Sequence, residues 1–234
     1  MSFASISPEE LQAIGLSVKV GLCCAIISLP PAVALGWLLA RKNFPGKIVV
    51  DGLVHLPLVM PPIATGYLLL VILGKEGFLG RWLHVAFGFE LAFTWQAAVL
   101  ASVVVSFPLA VRAVRIAMEM ADPRFEQAAK TLGAGPIRSF FSITLPLAMP
   151  GIISGGILAF ARSLGEFGAS ITFAGNIVGE TRTLPLAVFS YMQQRSAEGP
   201  AFRLVIISVI VSFAALAASE LLARRARKRM GERP

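Results

Sequence analysis

Long apolar runs, separated by short basic clusters, dominate the chain. A helix needs about 20 mostly apolar residues to cross a bilayer. Four uncharged stretches reach that length: residues 20–40, 52–74, 91–111 and 143–161. A fifth, 204–219, is shorter. It lengthens past Glu220 to Ala223, because a charge near a helix end reaches the headgroups at modest cost. Pro30-Pro31, Pro57, Pro61-Pro62, Pro108 and Pro150 lie inside or at the edge of these runs and predict kinks or interruptions. The pattern predicts an all-α polytopic membrane protein with five principal spans.

Two weaker segments fit less simply. Residues 184–194 are apolar but too few to cross, and an extra crossing would reverse the arginine-rich tail. The expectation is a sixth, short or re-entrant helix on the outer side or within the bundle. Residues 1–18 read as an outer N-terminal segment with an amphipathic surface helix. Ser7 is its cap and Pro8 its first turn.

The basic clusters set the orientation. Arg41, Lys42 and Lys47 follow the first span, Arg112, Arg115, Arg124, Lys130 and Arg138 the third, and Arg224 through Arg233 the fifth. Lys75, Arg81, Arg162, Arg182, Arg195, Arg203 and Lys19 fall on the opposite side. Cytoplasmic loops carry the excess of Lys and Arg. The N-terminus is therefore expected outside, and the C-terminus with its basic tail 224–234 inside. That tail is expected to fray beyond the membrane, against anionic headgroups.

Composition agrees. Mean hydropathy is +0.76 and 56% of residues are hydrophobic, which excludes a soluble domain of this length. The net charge of +8 would suggest nucleic acid in a soluble protein. Here the cations flank apolar runs, so lipid is the expected partner and nucleic acid is not. Cys23 and Cys24 are adjacent within a span, fit no usual zinc framework and read as packing residues. The first run is too long for a cleavable signal and follows Glu9 and Glu10 rather than a basic region. His55 and His84 are isolated, and the chain has no acidic pair or phosphate-binding loop. No catalytic residue, metal site or cofactor is expected.

The loop 119–146 lies on the inner side by the charge count. Asp122-Pro123 starts a short helix. Phe125, Ala128, Ala129 and Leu132 recur at helical spacing, and Gly133 and Gly135-Pro136 stop it. Ile137, Phe140 and Phe141 open a second amphipathic piece that should end near Pro146. Two short helices meeting at a glycine corner make a protruding knob. The residues Glu126, Gln127, Ala128, Ala129 and Gly133, with Ile143, Leu145 and Pro146 downstream, resemble the Glu-Ala-Ala…Gly…Ile-x-Leu-Pro loop of permease subunits in binding-protein-dependent ABC importers. That resemblance implies docking into a cytoplasmic ATPase, with ATP hydrolysis in the separate subunit. Counted back from Gly133, the family's glutamate slot falls on Gln127, and Glu126 lies one residue early.

A second group of polar residues lies at membrane depth. It includes Thr65, Ser102, Ser106 and Ser154, then Arg162, Ser163, Glu166 and Gly168, and later Gly175 and Gly179. Arg162 and Glu166 are four apart and share a helix face. They form either a structural pair or a point of anion passage. Thr65, Ser106, Arg162, Ser163, Glu166, Gly168 and Gly175 are the candidate translocation and gate residues. The segment 167–179 is expected to contribute to an outer gate.

The stretch from Phe160 to Ala169 and the run Gly179-Glu180-Thr181-Arg182-Thr183-Leu184-Pro185 resemble permeases of molybdate and sulfate importers. Gly66-Tyr67, Gly77-Phe78-Leu79-Gly80, Ser106-Phe107-Pro108-Leu109 and Val111-Arg112-Ala113 look most like the molybdate branch. The resemblance covers nearly the whole chain. It implies a type I ABC importer transmembrane fold in the inner membrane and a homodimer of this subunit. Two copies of a cytoplasmic ABC ATPase and a periplasmic or surface oxyanion-binding protein complete the assembly. The implied substrate is molybdate or tungstate, with sulfate or thiosulfate as the alternative. An ion-coupled secondary transporter would want buried coupling acids and often an inverted repeat. Asp51 and Glu220 sit at span ends and no repeat is visible.

Overall fold

The computed structural model describes residues 6–194 and 198–229. Ser5, Arg195 and the end of the basic tail, Arg233 included, lie outside the described residues. The first helix, α1 (Pro8–Arg41), begins with a reciprocal cap. The Glu10 N–H donates to Ser7 Oγ at 3.2 Å, and the Ser7 N–H donates to Glu10 Oε2 at 2.7 Å. The cap is as expected, but no separate surface helix follows it. Residues 8–18 are the first turns of the spanning helix itself, because Ala13 packs with Leu184, Ala187 and Leu204 and nothing breaks the backbone before Pro30. At about 1.5 Å per residue, 34 residues exceed a hydrocarbon core of about 30 Å, so one end must project.

The second span is broken. The chain bends by 112° between helices α2 (Lys47–Val59) and α3 (Pro62–Leu73). Met60, before Pro61, is extended at φ −68°, ψ 146°, as a residue before proline prefers. Val50 and Val54 of α2 pack near Ala110 and Val111, whereas Leu69, Leu70 and Leu73 of α3 pack near Ala97 to Val105. The two pieces therefore pack near different parts of α5. Next come α4 (Phe78–Phe87), which hydropathy alone did not single out, and α5 (Trp95–Met120). The latter starts at the Thr94 cap rather than at 91, and runs past 111 to carry Arg112 and Arg115.

Beyond α5 lie α6 (Pro123–Thr131), α7 (Pro136–Ser139), a π turn (Phe140–Thr144) and α8 (Leu145–Leu164). The chain closes with α9 (Gly168–Phe173), α10 (Leu184–Met192) and α11 (Glu198–Arg229). Residues 224–229 stay helical, so the expected fraying does not begin at 224. Among the described residues, four helical stretches are long and apolar enough to cross a membrane: Pro8–Arg41, Trp95–Met120, Pro136–Leu164 and Gly199–Ala218. Counted as one span, the bent pair makes a fifth. The nine-residue α10 spans only about 14 Å and cannot cross. It packs on α1 and α11, as a short helix within the bundle.

Helices α1, α5 and α8 form the centre. Small residues set their spacing, since lipid tails give apolar side chains no reason to leave the bilayer and close packing must supply the attraction. A Cβ on Gly155 would stand 3.1 Å from the Ala110 carbonyl, and one on Gly151 would overlap Ala117. The short helix α9 wedges against α3, where a Cβ on Gly168 would come within 2.7 Å of Pro62.

Candidate functional site

At one end of the bundle the 122–146 segment builds the expected corner. Asp122 Oδ1 accepts the Arg124 N–H at 2.9 Å, and Pro123 opens α6 where no N–H is needed. The helix ends with the Gly133 N–H on Lys130 O and the Ala134 N–H on Ala129 O. Gly133 itself lies at φ +85°, a conformation glycine adopts freely and other residues resist. One expectation fails: Pro146 does not end the second piece. The π turn places the Leu145 N–H on Phe140 O, and the chain continues directly into α8. A proline lacks the N–H for a regular turn, and a widened turn lets the helix pass that point.

The knob carries a bare apolar tip. Phe125, Leu132, Ile137 and Phe141 are 56%, 88%, 73% and 60% exposed. Gln127 and Ala128 are exposed, Ala129 is half-buried, Ile143 and Leu145 are half-buried, and Pro146 is exposed. Glu126 turns inward instead. Its Oε1 accepts from Thr144 Oγ1 at 2.7 Å and lies 3.4 Å from Arg41 Nη2. Gln127, in the family's slot, stays exposed. A cleft of about 410 Å³ separates the knob from the end of α1, lined by Trp37, Arg41, Lys42, Glu126, Lys130 and Phe140 among others. Arg115 ties this end of α5 to the start of α2 through Asp51 at 3.1 Å. Arg41 and Thr144 escaped the sequence reading because nothing local marks partners 85 and 18 residues from Glu126.

The candidate path residues divide. Arg162 Nη1 is 2.8 Å from Glu166 Oε2, so the pair exists. The other Glu166 oxygen accepts the Ala169 N–H at 2.8 Å and caps α9, and the residue is 2% exposed. Arg162 remains partly exposed. Gly168 is buried against α3, and Gly175, at φ +77°, turns the chain after α9. By contrast, Ser106 is fully buried in the α1–α5–α8 packing, its hydroxyl donating to Ser102 O and lying 3.1 Å from Cys24 Sγ. Ser163 and Thr65 are also buried. Cys24 is fully buried, in keeping with a packing role.

The opposite end is held by a second polar network. Arg203 Nη2 is 2.6 Å from the buried Glu10, the Leu184 N–H donates to Ser17 Oγ at 2.7 Å, and Arg182 Nε donates to Asn176 Oδ1 at 3.0 Å. Glu10 carried no sequence signal beyond its capping role. On the same end Lys75 bridges to Glu90 at 2.8 Å, which raises the Lys75 ammonium and lowers the Glu90 carboxyl from their ordinary pKa values. Among the described residues no cluster of three or more His, Cys, Asp or Glu could hold a metal ion.

Known proteins share this architecture. A subunit of a bacterial ABC transporter that imports the acidic polysaccharide alginate superposes with a TM-score of 0.74 at 14% identity, covering 94% of this chain and 80% of its own. A chain of the MetNI methionine ABC transporter, in inward-facing conformations, gives 0.66 at 17% identity, covering 94% and 99%. At such identities the likeness establishes the fold, that of ABC importer membrane subunits. Sequence relatives lie nearer. The molybdenum transport system permease protein ModB of Escherichia coli is 54% identical over 97% of this chain and 99% of its own length. That of Haemophilus influenzae is 52% identical over 95% and 97%. A probable sulfate transport permease of Helicosporidium is 34% identical over 92% and 77%. The family described as binding-protein-dependent transport system inner membrane component matches residues 32–228. The chain belongs to that family.

Proposed function

We propose that this chain is the membrane-spanning permease of an ATP-driven molybdate or tungstate importer. The observation that carries the substrate is identity of 52% and 54% to molybdenum permeases over nearly the full length, against 34% to a sulfate permease. Two copies would enclose the path and bind two ATPase subunits, with an oxyanion-binding protein on the outer face. The end bearing the 122–146 knob is the cytoplasmic one, since Arg41, Lys42, Arg115 and Lys130 gather there. The N-terminus of α1 and the Lys75–Glu90 pair then face outward, and α11 returns the C-terminus inside. Gln127, Ala128, Ala129, Gly133 and the exposed apolar tip dock the ATPase. Ile143, Leu145 and Pro146 carry the motion into α8.

For the gate, the partly exposed Arg162 faces the outer half of the path, while Glu166, Gly168 and Gly175 hold and turn α9, the moving piece. Burial of α9 within the protein supports this, because backbone broken at membrane depth is tolerated only against protein or a water-filled path. Thr65, Ser106 and Ser163 support helix packing in the isolated subunit. The substrate test is ATP hydrolysis by the reconstituted permease, ATPase and binding protein. Molybdate and tungstate should stimulate it at concentrations where sulfate does not. Stimulation by sulfate or thiosulfate alone would establish the alternative.

A further inference from the structure

The Glu126 carboxylate joins elements that lie far apart in sequence. It sits on the docking helix α6. Thr144, which donates to it at 2.7 Å, ends the π turn that leads into α8. Arg41, 3.4 Å away, is the last residue of α1, and its Nη2 also donates to the carbonyl of Ala121 at the end of α5. Both charged side chains are largely withdrawn from water, at 16% and 20% exposure.

We propose that Glu126 is a positioning residue that ties the knob to the bundle and makes no contact with the ATPase. This rests on the reading of the knob as the ATPase dock. The α6 helix leaves the end of α5 at Ala121-Asp122 and returns to the bundle through the Gly133–Gly135 corner, with Phe125 and Leu132 exposed. Without an inward tie, a push on α6 would be absorbed at that corner. The carboxylate supplies the tie and holds it at two places. At α1 it meets a cation, giving a charge-assisted contact. At the π turn it grips the one widened turn between the knob and α8, where a helix changes register at least cost. Gln127, the neighbouring residue, is exposed along the cleft between the knob and α1 and is open to the partner. The adjacent polar pair is thus divided, one residue holding the permease together and the other meeting the ATPase.

The test uses the permease, ATPase and binding protein together in proteoliposomes, and reads ATPase bound, ATP hydrolysed and oxyanion taken up. Glu126→Ala should retain its full complement of ATPase and lose at least about fivefold in uptake per ATP hydrolysed, the scale of coupling between contacting residues. The Arg41→Ala, Glu126→Ala double variant should be no worse than the poorer single variant. Glu126→Gln, which still accepts from Thr144, should fall between wild type and Glu126→Ala. Three results would overturn the proposal: release of the ATPase by Glu126→Ala, multiplying losses in the double variant, or unchanged uptake per ATP. If a truncated variant fails to fold, the near-isosteric Glu126→Gln and Thr144→Val carry the same measurement, and uptake per ATP at the wild-type level in both would overturn it. Failure of the docking reading itself would look different, with Gly133→Val keeping the ATPase bound and active.

Discussion

Gly133 offers the sharpest test of the knob. Its φ of +85° is left-handed, and a Cβ built there meets nothing within 4 Å. A substitution therefore costs only backbone strain, with no clash inside the permease. For alanine that strain is about 1 kcal/mol or somewhat more, a loss of roughly five- to tenfold in the docking-ready population. For a β-branched residue it approaches about 3 kcal/mol, near a hundredfold. Asparagine tolerates the conformation and should lose only a few tenths of a kcal/mol, about a twofold effect. Titrating purified ATPase against the permease in lipid nanodiscs should rank the affinities Gly, Asn, Ala, Val. The order of Asn and Ala is decisive, because asparagine is the larger side chain. Asparagine binding worse than alanine would mean that bulk against the partner governs, and the conformational argument would be wrong.

Leu132, 88% exposed at the tip, should be buried by docking, so Leu132→Ala should weaken ATPase binding by about 1.5–2 kcal/mol in the same titration. Gly155→Leu should force α5 and α8 apart and lower stability by about 2 kcal/mol or more, seen as a reduced melting temperature in detergent. For the gate, Arg162→Gln, which removes the cation but can still donate to Glu166, should keep uptake if the pair is structural; uptake confined to proteins with a cation at 162, such as Arg162→Lys, would instead support anion passage. Cysteines placed at Glu76 and Lys42, in a chain lacking its own two, should react with an impermeant reagent from outside and only from inside, respectively. Reaction of both from one side would refute the five-crossing topology.

The long spans were legible because crossing a bilayer demands uninterrupted apolar sequence, and because Asp122-Pro123 and Gly133 are local signals with local consequences. The hidden features depend on tertiary context. The Pro61-Pro62 pair announced an interruption, yet nothing in it specified a bend of 112°. The helix α4 is short and mixed, so hydropathy averaged it away. Pro146 read as a stop because the π turn that accommodates it is set by packing against α1, including the Trp37–Phe140 ring contact. The inward turn of Glu126 followed from partners on α1 and at the start of α8, which no local pattern marks. Ser106 read as a path residue because a serine at membrane depth is ambiguous. Its place opposite Cys24 is visible only once α1 and α5 are packed.

The central claim is that the 122–146 knob is where an ATPase attaches. Hydrogen–deuterium exchange of the permease in nanodiscs, with and without its ATPase, tests this directly. The account predicts added protection of amides across residues 123–137 when the ATPase is present, and no change across 75–94 at the other end. Unchanged exchange at 123–137 in a complex that demonstrably holds the ATPase, or protection confined to 75–94, would contradict it.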